Sequence, residues 1–211
     1  MKYCEFRDYV LQLLNMYTAR GSEFTERYND QADFLARIPG LYNAAMLELA
    51  TEASPLVAVM TPAEEDIEDR GSYVAVKVPE DFLSMTGDGI PVMGRDGRQM
   101  RIKAYYMVGA DTVAIRKDLF RHGILEYHRV PQRLNIDYNA VDDETQLDGT
   151  IEMQTAAAYY VAGMLMMQED AFVYASLRNE YDDKLSQMKK RLRAEVFFVE
   201  DIMTADCYNM Y

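Results

Sequence analysis

Residues 155–185, TAAAYYVAGMLMMQEDAFVYASLRNEYDDKL, constrain the fold of this chain more than any other segment. The first half is rich in alanine and contains one glycine, so a second helix can approach it closely. After the polar Gln168-Glu169-Asp170, apolar residues recur every three or four positions, which places them on one helical face. The segment therefore predicts a helical hairpin, a packing element rather than a catalytic one. Its small residues are Ala156, Ala157, Ala158, Ala162 and Gly163, and its apolar stripe is Tyr174, Leu177, Tyr181, Leu185, Met188 and Leu192.

The charge balance is strongly acidic, with a formal net charge of -13. This balance argues against binding nucleic acid over a broad surface, because such affinity comes from Lys and Arg neutralising phosphates. The excess of carboxylates has two interpretations, simple solubility or a wall that repels DNA passing beside it. One basic cluster could meet a phosphate or an acidic partner, or could be a solvated loop; it contains Arg95, Arg98, Arg101 and Lys103.

No motif for catalysis, a cofactor or a metal is present. Cys4 and Cys207 form no CxxC pair, and His122 and His128 add too few ligands for a metal set, so we interpret them as free thiols and ordinary histidines. The phosphate-binding, dinucleotide-binding, nucleophile-elbow and zinc-protease motifs are all missing. We therefore expect no enzyme activity, no cofactor and no metal. An enzyme or regulatory domain whose site is scattered along the sequence stays a less favoured alternative.

The chain ends and the apolar runs bear on where the protein is made. Glu5 and Asp8 lie where a signal peptide would be apolar. The longest apolar run, residues 156–167, is shorter than the roughly 20 residues of a membrane span. We therefore expect a protein without a membrane partner, made in the cytoplasm.

The period of the apolar pattern divides the chain into four regions. Residues 1–55 predict N-terminal helices, with a kink or short break expected at Pro39-Gly40. Residues 56–134 predict a β-rich insertion, residues 135–193 a polar link and the hairpin, and residues 194–211 a C-terminal tail. The predicted fold is mainly α with a β-insertion: a helical bundle of N- and C-terminal helices, with a small antiparallel β-subdomain between them. The strands are expected near residues 73–78, 103–108, 112–116 and 124–130.

The tail is strongly apolar for a chain end. It follows the basic run at residues 189–193, which we interpret as cations at a helix C-terminus, where the predicted bundle should be complete. Apolar residues beyond a finished core tend to bury themselves in a partner, although the tail could also fold back on its own bundle. The predicted assembly-interface residues are Val196, Phe197, Phe198, Val199, Ile202 and Tyr208.

Four segments together resemble a known family. They are FLARIPGLYNAAMLELA at residues 34–50, Asp81-Phe82 after Val-Pro, LEYHRVP at residues 125–131, and the hairpin at residues 157–185. In combination and in this order they resemble the head-to-tail adaptor (connector) proteins of tailed bacteriophages, especially the tail-tube-adaptor type of short-tailed phages. The resemblance covers most of residues 25–190 and does not extend past Arg193.

The resemblance implies a structural protein of the virion. It implies a ring of about a dozen copies at the head–tail junction, docked below the portal protein and in contact with tail components. DNA would pass through the ring without specific binding. The family implies no catalytic residue at any position of this chain. Another minor tail or stopper protein of the virion is the alternative within the same class.

Overall fold

The computed structural model describes residues 1–17, 28–86, 90–93, 99–102, 105–117 and 125–207. The chain divides into two compact units. The helical unit comprises Met1–Ser54 and Pro131–Tyr211, and the β unit comprises Pro55–Val130. The described helices are α1 (Tyr3–Tyr17), α2 (Tyr28–Glu52), α3 (Ile151–Met166) and α4 (Ala171–Cys207). The described strands are β1 (Leu56–Met60), β2 (Ile67–Arg70), β3 (Tyr73–Lys77), β4 (Phe82–Met85), β5 (Ile90–Met93), β6 (Gln99–Ile102), β7 (Tyr105–Val108), β8 (Thr112–Arg116) and β9 (Leu125–Arg129).

The predicted fold class is wrong. The chain is not a mainly α protein in which N- and C-terminal helices flank a small β-insert, because about half of it is helix and about a quarter is strand. Two antiparallel sheets hold seven of the described strands, and β5 and β6 form a separate two-stranded ribbon. The sequence pattern did not predict the strands β1, β2, β4, β5 and β6. Strand β1 is apolar at every position and β2 is charged at three of its four positions, so neither sequence alternates between apolar and polar residues.

Helix α3 lies at the centre of the helical unit and packs against α1, α2 and α4. The Thr150 side chain caps its first turn by accepting a hydrogen bond from the Met153 backbone N–H at 3.2 Å. Ten of its sixteen residues are buried, among them the run Ala156–Ala158 that the sequence singles out. Small side chains on several faces let three helices approach one, which explains why α3 is apolar nearly all round.

Helix α1 is fastened at its first turn by the segment before α3. The backbone N–H groups of Tyr3 and Cys4 donate to the carbonyls of Thr145 and Asp143 at 2.9 and 3.1 Å. Helix N-termini leave such N–H groups without intrahelical partners, so these bonds satisfy them. Asp143 also accepts from Arg7 at 2.7 Å. The acidic cluster at residues 142–144 therefore lies where negative charge favours a helix end.

Helix α2 passes through Pro39 without the short break expected there. Proline removes one backbone hydrogen bond, but Ile38 and Tyr42 on either side of it are buried in the core. Their burial outweighs the lost bond, since each large apolar side chain removed from water is worth about 1.5–3 kcal/mol. Tertiary packing thus keeps one continuous helix where local chemistry predicted a kink or a short break.

The β unit has its own apolar core between its sheets. One sheet has the order β1-β9-β4 and the other the order β2-β3-β8-β7, all antiparallel. The core is formed by Val74, Val76, Val78, Val113, Ile115 and Leu125. The shared face predicted for the three valines of residues 74–78 is confirmed. The predicted hairpin between β7 and β8 is also present, with Gly109 at φ +73°, a conformation that favours glycine.

Candidate functional site

Helix α4 differs from the other helix of the hairpin, α3, in its length. Its 37 residues correspond to about 55 Å, whereas the 16 residues of α3 correspond to about 24 Å. The two helices are antiparallel, because Gly163 of α3 faces Leu177 while Glu152 in the first turn of α3 pairs with Arg191. Helix α4 has therefore reached the start of α3 by Arg191 and continues for four more turns.

The hairpin predicted from the small residues is present, and the close helix contact predicted at Gly163 is confirmed. A Cβ placed on Gly163 would lie 3.5 Å from the Leu177 Cβ and 3.8 Å from the Arg178 backbone nitrogen. There is room for one methyl group and for nothing larger. The turn is closed by Asp170, whose carboxylate accepts from the N–H groups of Phe172 and Val173 at 2.9 and 3.1 Å.

Arg178 joins α4 to the two helices beneath it. Its Nε lies 3.2 Å from Asp182, and its Nη2 lies 3.9 Å from Glu48 of α2. The guanidinium also lies 4.9 Å from the ring centre of Tyr181 and 5.6 Å from that of Tyr160. Burial, with the nearby Glu48 carboxylate, raises the pKa of both tyrosines, so they stay neutral. This cluster contains acidic, basic and phenol groups, but we interpret it as a packing contact between helices.

Two cations of the basic run of α4 pair with carboxylates of neighbouring helices, and the run does not lie at the end of α4. The Lys189 ammonium pairs with Glu52 of α2 at 2.5 Å, and Arg191 pairs with Glu152 of α3 at 2.7 Å. The interpretation of this run as cations at a helix C-terminus is wrong, because α4 continues to Cys207. Sequence reasoning missed the pairing since the partners lie 137 and 39 residues away.

The predicted assembly-interface residues occupy the last part of α4. Val196, Phe197, Phe198, Val199 and Ile202 lie in its helical backbone, while their side chains and Tyr208 lie outside the described residues. The segment predicted as a separate tail is thus helical to Cys207 and continuous with the hairpin. The side chains of the basic cluster at residues 95–103 are likewise outside the described ones.

The β unit holds two polar side-chain pairs that could carry chemistry. Ser84 Oγ lies 3.0 Å from His128 Nδ1, across the pairing of β4 with β9. The Tyr127 hydroxyl donates to Asp81 at 2.9 Å, and burial together with this bond raises the pKa of Tyr127 to about 12. A serine beside a histidine suits nucleophilic catalysis only with a third orienting group and a cleft for the substrate. The pair lies on an exposed sheet face, so a cross-strand contact describes it better.

A small, partly open void lies among the described residues of the helical unit, beside Tyr42, Leu134 and Leu147. Its volume of about 20 Å³ is sufficient for a single water molecule and far below that of a ligand site. Burial and the Asp148 carboxylate raise the pKa of Tyr42, which therefore stays neutral beside the void. Among the described side chains, no group of three or more His, Cys, Asp or Glu lies close enough to hold a metal ion.

The structure brings together the segments on which the family resemblance rests. Asp81-Phe82 and the strand at residues 125–129 are joined twice, by the Tyr127 hydroxyl and by the Val130 N–H, which donates to the Asp81 carbonyl at 2.7 Å. The segment at residues 34–50 lies in α2, which packs on α3 of the hairpin. The four segments therefore form two contacting pairs, one in each unit.

None of the helices in the described part of the chain is both long and apolar enough to cross a membrane. Comparison with protein-family models finds no match, and comparison with curated proteins finds none either. The resemblance to head-to-tail adaptors therefore rests on the quoted segments.

Proposed function

We propose that this chain is a structural protein of a tailed phage, a head-to-tail adaptor that forms a ring below the portal. The observation that carries the proposal is the continuation of α4 beyond the first turn of α3, in a segment rich in valine and phenylalanine. Apolar residues beyond the packed part of a hairpin are typical of a segment that contacts a second molecule, which an assembly protein requires. The ring and the portal contact come from the family resemblance.

The charge distribution supports the same proposal. The helical unit carries 12 Lys and Arg against 23 Asp and Glu, a net charge of -11, while the β unit carries 10 against 12, a net charge of -2. A helical unit lining a channel would repel DNA and let it slide, since adhesion to DNA requires cations that neutralise phosphates. In this proposal the acidic faces of the helical unit line the inner wall of the ring, and neither DNA nor tail components are held by a specific basic site.

The direct test is the composition of the virion. We expect the protein in purified phage particles at the same copy number as the portal, measured by quantitative mass spectrometry. We also expect a ring at the head–tail junction in averaged electron micrographs. Absence from the particle contradicts the proposal. Presence at another position in the tail favours a stopper or minor tail protein instead.

The role of the α4 extension is tested by deletion of residues 194–211. We expect the shortened protein to lose binding to the purified portal while its melting temperature changes by no more than a few degrees. The matched control is the full-length Arg191→Ala variant, which removes a surface ion pair just before the extension and should keep portal binding. Loss of the fold on deletion would show instead that the segment is part of the core of its own chain.

A further inference from the structure

The first strand of the β unit is apolar and lies at the edge of its sheet among the described strands. Strand β1 pairs with β9 on one side, and no described strand pairs with it on the other. Val57 and Val59 point to the outer face, where 56% and 59% of their surfaces are exposed. An edge strand presents unpaired N–H and C=O groups, so proteins normally protect it with charge, a bulge or a proline.

The other edges of the two large sheets differ from β1. Strand β2 is protected by the exposed charges of Glu68, Asp69 and Arg70. Strand β4 has a register shift between Phe82 and Ser84 that disturbs its ladder. Strand β7 carries no charge. Its two inner residues, Tyr106 and Met107, pair with Ala114 and Val113 and point to opposite faces of the sheet, so they do not form one shared apolar face. Among the described edge strands of the two large sheets, β1 alone combines an uncharged sequence, five regular residues and an alternating exposed face.

We propose that β1 is a contact between two copies of this chain, which pair antiparallel across a two-fold axis at Ala58. Residues that face each other then have numbers adding to 116, so that Val57 of each copy lies opposite Val59 of the other and Leu56 opposite Met60. The two sheets become one sheet of six strands with four contiguous valines on its outer face. Cross-strand pairs of β-branched residues are favourable in such a sheet.

The register is limited by the residues around the strand. A slip of one residue, which places Val57 opposite Ala58, turns the valines of the second copy to the other face of the joint sheet. Pro55 and Pro62 flank the strand and cannot donate to a longer ladder, so the pairing stays within residues 56–60. A strand whose apolar residues repeat symmetrically about its centre fits a second copy of itself.

The net charge of the β unit opposes a second copy at this place only weakly. Two helical units at -11 each repel one another, whereas two β units at -2 each meet with little repulsion. A five-residue strand pair buries much less than the roughly 1,200 Å² of a stable complex. The contact is therefore a weak one, formed at high local concentration. This inference does not depend on the proposed role as an adaptor.

Disulfide cross-linking between introduced cysteines tests the register of the two β1 strands directly. In a background with Cys4→Ser and Cys207→Ser, we expect Val57→Cys protein mixed with Val59→Cys protein to form a disulfide-linked dimer under mild oxidation. Each variant alone should cross-link about tenfold less, because its own cysteines lie at the diagonal positions. Equal cross-linking by either variant alone, or by the Tyr106→Cys control on β7, overturns the proposal.

Sedimentation velocity tests the contact without cross-links. We expect the full-length protein to form dimers increasingly from micromolar to near-millimolar concentration, and Val59→Lys to weaken this association about tenfold or more. Tyr106→Lys, half-exposed on the other sheet, is the matched control and should have no effect. Self-association that Val59→Lys leaves unchanged, or a protein that stays monomeric throughout, overturns the proposal. Neither result bears on whether the protein is found in virions.

Discussion

The helical unit and the β unit differ in how their elements pack and in their net charge. The helical unit joins its elements through a central alanine-rich helix and through ion pairs and rings that link α4 to α2 and α3, and it carries nearly all the excess negative charge. The β unit is almost neutral and has a small valine-rich core, and its apolar strand β1 is an edge strand among the described strands. The comparison teaches that the excess negative charge and the exposed apolar strand belong to different units, so the two proposals made for them can be tested separately.

The largest expected effect is the loss of a core side chain in one unit. Leu177→Ala in the helical unit and Ile115→Ala in the β unit each remove a fully buried side chain, which typically costs about 2–5 kcal/mol of unfolding free energy. If the two units are separate in energy as well as in contacts, Ile115→Ala should accelerate amide hydrogen exchange mainly within residues 55–130. Equally accelerated hydrogen exchange in α3 would show that the two units do not unfold separately.

The close contact between α3 and α4 predicts a smaller effect that depends on size. Gly163→Leu should lower the unfolding free energy by about 1–3 kcal/mol, because its side chain must displace Leu177. Gly163→Ala is the matched control, since its methyl group fits and alanine favours a helix by up to about 1 kcal/mol. Chemical denaturation of the three proteins measures both changes. A leucine variant as stable as the alanine variant would place Gly163 on a loose surface.

A pH-dependent effect is expected in the β unit. The pKa of Tyr127 is about 12 in the folded chain, and a tyrosine in the unfolded chain titrates near 10. The folded state therefore holds this proton more tightly, so its contribution to stability is fully present below pH 10 and is lost as the pH rises towards 12. Tyr127→Phe should be slightly less stable at pH 8 and should show a weaker loss over this range.

Urea unfolding at several pH values between 8 and 12 provides this measurement. Other buried tyrosines titrate in the same range, so the informative quantity is the difference between the two proteins at each pH. A difference that does not vary with pH would mean that the Asp81 contact does not hold the Tyr127 proton.

The smallest expected effect concerns the ion pairs that fasten α4. The Arg191 and Glu152 side chains are both partly exposed, so their coupling should be only about 0.2–1 kcal/mol. A double-mutant cycle with Arg191→Ala and Glu152→Ala measures this energy, and 1 M salt should reduce it. A coupling well above this range would mean that α4 is held by charge more than by its apolar stripe.

The sequence by itself determined the elements that carry a strong local signal. The stripe from Tyr174 to Met188, the small residues before Gly163 and the alternating valines of residues 74–78 all predicted their elements, because one face of each is buried and its period is visible. The same signal showed that apolar residues remain beyond Arg193. It did not show that they continue a helix.

Tertiary structure alone decided the size of the β unit and the role of the polar groups. Strands such as β1 and β4 do not alternate between apolar and polar residues in sequence, and each of them pairs with β9, which is distant in sequence. Helix α2 crosses Pro39 since its flanking side chains are buried, and Lys189 finds Glu52 only after the chain has folded. Contacts between residues distant in sequence depend on where the backbone brings them, and no local pattern contains that information.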